Sequence, residues 1–316
     1  MSQPKPTPDR CSSRLRIGLF LLVPVLLLVG MFVFWKKPLK TDSGKPTVAT
    51  TIFPLKDLVQ NVVGNEINVV LILPPGADAH TFDPPPSLLR SLEGATVIYR
   101  IGHGIDRWAD TLASAVDVSP LTVDKNIVIR ASAEHEEETE ETEEEEEHGP
   151  TDPHYWLTVP NAKKIATTVT EDLSKRFPDR AVIFQTNLER YLIQLDQTDE
   201  QIRTILSSVS NRHLVTFHDA WYYFADAYGL TIAGTFEPTA GREPTPHYLG
   251  TLIETVQKAG VRTVYYEPQM DVTGFEGFSR DQKLNLVILD DIGGVPGRNS
   301  YIELMLSNAK TISQNP

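Results

Sequence analysis

From Pro46 onward the chain alternates between two hydrophobic rhythms. The runs Val48 to Phe53, Ile67 to Leu73 and Thr96 to Ile101 are short and nearly continuously apolar, the pattern of strands buried on both faces. Between them lie segments with helical spacing. Pro54 to Val63 is opened by its proline, Pro86 to Glu93 sets Leu88, Leu89 and Leu92 on one side, and Ile105 to Val116 is amphipathic. Leu121 to Val123 and Ile127 to Ile129 read as short β pieces. Ala162, Ile165, Ala166, Val169 and Leu173 then mark a helix closed by Phe177-Pro178. A second helical pattern runs from Pro178 to Val209 along a seam of Phe184, Leu188, Tyr191, Leu192, Leu195, Ile202 and Leu206. At the standard rise it is roughly 45 Å long, enough for a strut between two lobes.

The strand rhythm then restarts. His213 to Phe217, Leu230 to Phe236, Val261 to Tyr266 and Leu286 to Leu289 read as strands, with helices beginning near Ala220, over Thr245 to Ala259 and over Tyr301 to Ile312. Strands alternating with helices imply parallel sheets covered on both faces. The fold class is therefore α/β, with two parallel-sheet, Rossmann-like lobes at 46–158 and 212–316. Residues 159–211 are helical between them, and 178–209 is the interlobe helix.

The amino end has a different character. Ile17 to Trp35 is apolar, with Arg10, Arg14 and Arg16 before it and Lys36, Lys37 and Lys40 after it, and it is just long enough to cross a bilayer. It predicts an N-terminal membrane helix at 17–35, after an n-region at 1–16 and before a tether at 36–45. No small-residue cleavage site follows, and Cys11 precedes the apolar run, so an uncleaved signal anchor is expected rather than a lipid-bearing cysteine. Basic residues flank both ends, so charge does not set the orientation.

Charge is concentrated rather than spread. Of the formal −13, eleven glutamates fall between Glu134 and Glu147, leaving the remainder at −2. A body so nearly neutral offers no basic face to a nucleic acid. Residues 133–149 read as a disordered acidic loop, either a solvated spacer or a low-affinity cation collector flanked by His135 and His148. Because Cys11 is the only cysteine, a metal site would have to be built from imidazole and carboxylate.

Four such groups stand in equivalent contexts. His80 follows the strand ending at Leu73 through a Pro/Gly turn, His218 and Asp290 lie at later strand ends, and His154 sits in a loop leading into a helix. Open α/β sheets place their sites at the carboxyl edge, so two lobes facing each other could bring these side chains to one point. Three imidazoles and a carboxylate suit a divalent ion of the zinc type.

The segments Pro75-Gly76-Ala77-Asp78-Ala79-His80-Thr81-Phe82-Asp83, Asp152-Pro153-His154-Tyr155-Trp156, Phe217-His218-Asp219-Ala220-Trp221-Tyr222-Tyr223-Phe224 and Tyr266-Glu267-Pro268-Gln269 resemble the zinc and manganese solute-binding proteins of bacterial ABC importers, the ZnuA/TroA type. The resemblance covers about residues 46 to 314. It implies a metal held between two lobes by His80, His154, His218 and Asp290, with Asp291 close enough to leave the register open. It also implies an ABC permease as partner, an extracytoplasmic and membrane-anchored location, and no enzymatic activity. Histidine at the third position and an acidic insertion are features of zinc-type members, so zinc is the expected ion and manganese or iron the alternative. The chain departs from the pattern in two ways: its insertion is mostly glutamate, and an apparent anchor replaces the lipoprotein cysteine.

The remaining residues receive ordinary roles. Glu267 is expected as a supporting carboxylate, and Trp156, Trp221, Tyr222 and Tyr223 as the apolar shell of the site. His103, His213 and His247 are expected in loops or at strand edges. A zinc hydrolase using Glu267 as general base and a metal-binding adhesin are the competing functions. The first lacks a compact motif such as HExxH.

Overall fold

The first sheet grows outward from β1 (Thr47–Thr50), which pairs with β2 (Asn68–Leu71) on one side and β3 (Ala95–Arg100) on the other, with β4 (Pro120–Thr122) beyond β3. These coordinates are a computed structural model that describes residues 44–131, 151–237, 245–273 and 275–316. Every pairing is parallel, so each strand reaches the next by a crossover. The crossovers carry α1 (Phe53–Val63), a 3₁₀ turn at Pro86–Leu88 continuing into α2 (Leu89–Leu92), and α3 (Trp108–Ala115). Two long helices follow, α4 (Val159–Arg176) and α5 (Ala181–Ser207).

The second sheet repeats the topology of the first. β5 (His213–His218) lies between β6 (Thr231–Glu237) and β7 (Thr263–Tyr266), with β8 (Asn285–Ile288) beyond β7 and all pairs parallel. Its helices are α6 (Tyr222–Tyr228), α7 (Pro246–Ala259) and α8 (Phe275–Gln282), and α9 (Tyr301–Gln314) closes the chain. In both sheets the chain leaves the first strand to one side and returns on the other. This order opens a crevice beyond the carboxyl ends of the central strands, and β5 ends on His218 there.

The 27-residue α5 spans about 40 Å at the helical rise. It packs on α4, α1 and α9, and buries Phe184, Leu188, Tyr191, Leu195, Thr198, Ile202 and Leu206. One apolar core joins α1, α4, α5, α6 and α9, so the lobes share a packed interior instead of a bare linker. A second core, around Phe217, Phe236 and Phe275, belongs to the carboxyl-terminal sheet. Leu195 is fully buried near the middle of the strut. Leu195→Ala should therefore cost about 3 kcal/mol, read as a lower denaturant midpoint. A loss under about 0.5 kcal/mol, the surface range, would mean α5 is not packed as described.

The predicted α/β pattern and strut are present, with local corrections. Phe53 opens α1 instead of ending a strand, because Pro54 in its first turn presets helical φ. The helix expected from Ile105 begins at Trp108, because the Asp106 carboxylate accepts the backbone N–H groups of Ile101 and Gly102 and holds the chain in turns. Ile127 to Ile129 is not a strand. A turn from Ile127 N–H to Asp124 C=O begins it, and the Arg130 N–H that follows is bonded to the Tyr223 hydroxyl and not to a neighbouring strand. The helix expected near Ala220 starts at Tyr222, and α8 was not anticipated. The proposed membrane helix, the n-region, most of the tether and the acidic loop with His135 and His148 lie outside the described residues. Among the described residues, no helix is long and apolar enough to cross a membrane.

Candidate metal centre

Each histidine of the expected site is positioned by a short local motif. After β2, Ile72 and Leu73 continue the ladder to Thr50 and Thr51, and Gly76 turns the chain with φ +81°. Asp78 then folds over the next residues, its carboxylate accepting from His80 N–H at 2.9 Å and the Thr81 hydroxyl at 3.0 Å. The loop is fastened where Trp108 Nε1 donates to Ala79 C=O at 2.9 Å and Phe82 packs edge-on against Trp108. In the second motif Asp152 Oδ1 lies 2.9 Å from both the backbone nitrogen and Nδ1 of His154. A carboxylate on Nδ1 fixes that proton and turns Nε2 toward the other imidazoles as the ligating atom, an arrangement typical of metal-binding imidazoles. A 3₁₀ turn, Tyr155–Leu157, follows at once and leads into α4, which is capped by the Thr158 hydroxyl.

His80, His154 and His218 come together. One ring nitrogen from each lies within 4.8 Å of the other two, and the ring centroids are 5.0 to 5.3 Å apart. The Nε2 atoms of His80 and His154 are 3.2 Å apart. Two nitrogens bound tetrahedrally to zinc at about 2.0–2.1 Å would sit roughly 3.3–3.4 Å apart, so the pair matches one edge of such a site. His154 and His218 are each 2% exposed. His218 Nε2 is buried and has no hydrogen-bond partner among the described residues, and its Nδ1 lies 3.2 Å from Glu267 Oε1.

Carboxylates make the pocket anionic. Burial alone would lower the His218 pKa, but the adjacent Glu267 charge, with Asp291 and Asp219, outweighs it and raises the value to about 9. Burial and then the Glu267 charge push Asp291 up to about 7, against the pull of His218. Burial likewise raises Asp152 to about 6. A cleft in which buried acids and imidazoles perturb one another is suited to take up a cation.

Asp290 does not join the three imidazoles. Its Oδ1 accepts from Ile292 N–H and Gly293 N–H, its Oδ2 is 2.9 Å from Arg298 Nε, and Asn308 bonds both of its backbone groups. Asp291, its neighbour, interacts electrostatically with His218 and accepts from Gln269 Nε2 at 2.8 Å. Glu267 is fully buried and accepts from Trp221 Nε1 at 2.7 Å. Trp156 is also fully buried, tilted 5.2 Å from the His154 ring, and donates to Asp291 C=O. His103 bonds Thr151 and Asp124 instead, and His213 and His247 are exposed.

Sequence reasoning gave Asp78, Asp152 and Gln269 no individual role, and it placed Trp221 in the apolar shell without its hydrogen bond to Glu267. A signal for the first two was present, since Asp78-Ala79-His80 and Asp152-Pro153-His154 are the same Asp-x-His unit. Gln269 and Trp221 meet their partners only through the tertiary fold.

Comparison with known proteins agrees with this architecture. The manganese-binding lipoprotein MntA of Halalkalibacterium halodurans is 28% identical over 273 residues, covering 84% of this chain and 86% of that one. The zinc-binding protein AdcA of Streptococcus pyogenes serotype M1 is 23% identical over 308 residues, 91% of this chain but 60% of AdcA, so the chain spans well under two thirds of that relative. A crystal structure of ZnuA superposes with a TM-score of 0.74 at 23% identity, covering 86% of this chain and 99% of the other. The family described as zinc-uptake complex component A, periplasmic, matches residues 48–315, and the chain belongs to this ZnuA family.

Proposed function

We propose that this protein is the extracytoplasmic solute-binding component of an ABC metal importer, capturing a zinc ion in the interlobe cleft and delivering it to a permease. The observation that carries the reading is the convergence of three mostly buried imidazoles from both lobes beside buried carboxylates. His80, His154 and His218 are the metal ligands in this reading. Asp291 supplies the fourth from the acidic side, because Asp290 is already engaged by Arg298 and two backbone N–H groups. Asp152 and Glu267 orient His154 and His218 from behind. Nitrogen-rich ligation favours zinc over manganese, which prefers oxygen. The related proteins named for zinc and for manganese keep both ions in the test. The lobes are taken as 46–158 and 212–316, joined through 159–211, with the 17–35 segment as membrane anchor and the acidic 133–149 segment, with His135 and His148, as an accessory.

A hydrolase fits less well. Glu267, the candidate base, is fully buried and bonded to Trp221 beside His218, so it is not free to activate water. The deciding experiment is a calorimetric titration of the metal-stripped full chain with zinc and then manganese, with and without residues 134–147. One tight zinc site that resists manganese and survives the deletion is expected. Binding that vanishes with the deletion, or no binding, would overturn the cleft assignment.

A further inference from the structure

We infer that Tyr223 is an interlobe latch, a positioning residue that holds the His154 segment against the His218 segment and so sets how long the metal stays bound. This rests on the metal-capture reading above. Tyr223 lies in the first turn of α6, directly after the His218-to-Trp221 turn of the carboxyl-terminal lobe. Its hydroxyl accepts from Arg130 N–H at 2.9 Å and donates to Asp152 C=O at 3.2 Å. Both partners come from the other lobe's chain, and they are tied to each other by Asp152 N–H to Arg130 C=O and by the Ala131–Thr151 bridge. Arg130 adds a second grip, its guanidinium 4.5 Å from the centre of the Tyr222 ring and 6.0 Å from that of Tyr223.

The contacts form a continuous path between two imidazoles. Asp152 holds the nitrogens of His154 through its carboxylate and Tyr223 through its carbonyl. On the far side Trp221, two residues before Tyr223, donates to Glu267, which stands beside His218. Opening the cleft to release an ion must separate His154 from His218, and the Tyr223 hydroxyl bridges the lobes at that point. Burial raises the Tyr223 pKa to about 12, so at neutral pH the hydroxyl keeps the proton it donates.

The test compares the full chain with its Tyr223→Phe form, loaded with zinc for release to a chromophoric chelator and with cobalt(II) for its visible ligand-field absorption. Tyr223→Phe keeps the packed ring but removes both hydrogen bonds. Zinc release should be about tenfold faster with association unchanged, as expected for two lost hydrogen bonds, and the cobalt absorption should shift. A residue important only for folding would lower the unfolding temperature without changing the cobalt spectrum or the release rate. Unchanged release and absorption in Tyr223→Phe, with normal loading of the unaltered chain, would overturn the latch and leave the metal site standing. Failure of the unaltered chain to load either ion would overturn the metal reading itself and the latch with it. If Tyr223→Phe does not fold, amide exchange at Arg130 in the zinc-loaded unaltered chain decides, since that N–H is the hydroxyl's own partner. Protection that is lost at the rate of zinc release supports the latch, and an Arg130 amide that exchanges like an open loop overturns it.

Discussion

Full chain carrying His80→Ala is expected to fold normally and to bind zinc at least about a hundredfold more weakly than the unaltered chain. Loss of a residue that merely orients a ligand costs about ten- to a hundredfold, so a direct ligand should reach or pass that upper bound. His80 is the cleanest of the three to remove. It sits half-buried in a loop whose shape is set by Asp78, Trp108 and Gly76, and none of those contacts uses the imidazole. His154→Ala and His218→Ala would instead take the imidazole away from the buried Asp152 and Glu267, mixing a folding cost with the binding effect. Competition with a chelator of known zinc affinity gives the number, and circular dichroism checks the fold. Affinity within about threefold of the unaltered chain, a small fraction of the effect of a lost ligand, would remove His80 from the site.

The two aspartates separate on the same assay. Asp291→Asn should weaken zinc binding by about ten- to a hundredfold, since it removes a charge beside the imidazoles. Asp290→Asn should act mainly on stability, because it breaks the Arg298 ion pair and weakens the cap on Ile292 and Gly293. If Asp290→Asn were the variant that lost zinc, the carboxylate assignment would be reversed.

That pair also marks where the sequence stops being readable. Successive side chains of an extended strand point to opposite sides. At the end of β8 a single step therefore decides whether Asp290 or Asp291 faces the cleft, and an apolar run fixes strand ends only to within a residue or two. His80 was legible because a Pro/Gly turn after an apolar run announces its own position. His218 was legible at the end of the apolar run that forms β5, and His154 mainly through the resemblance, to which the repeated Asp-x-His unit adds a physical reason. The strut was legible because an apolar seam sustained from Phe184 to Leu206 has no other reading. α8 was not, since eight residues bury only Phe275 and Ser279, too few for a period to show. Ile127 to Ile129 misled for the opposite reason: its β-branched residues favour a strand, while the chain there is committed to a turn and to Tyr223 from the other lobe.

Zinc affinity should rise continuously with pH up to about 9, well above the range in which ordinary imidazoles cease to matter. A metal binds the neutral ring, so any proton on the ring must leave first. In the metal-free cleft Glu267 and its neighbours hold His218 protonated up to about pH 9. The sign follows: between pH 7 and 9 each ion displaces about one proton, and affinity falls about tenfold for each unit of acidification, roughly a hundredfold over that window. Below about pH 7 the raised Asp291 carboxyl also takes up a proton, so the dependence steepens toward about two log units per pH unit if Asp291 is a ligand. The measurement is a chelator competition at several pH values, with the chelator's own protonation taken into account. Two variants separate the causes. Glu267→Gln removes the charge that raises His218 and should flatten the curve between pH 7 and 9, whereas Asp291→Asn should flatten it mainly below 7. Affinity that is level from pH 7 to 9 in the unaltered chain would mean that metal does not displace a proton from His218, and that this imidazole stands beside the site and not in it.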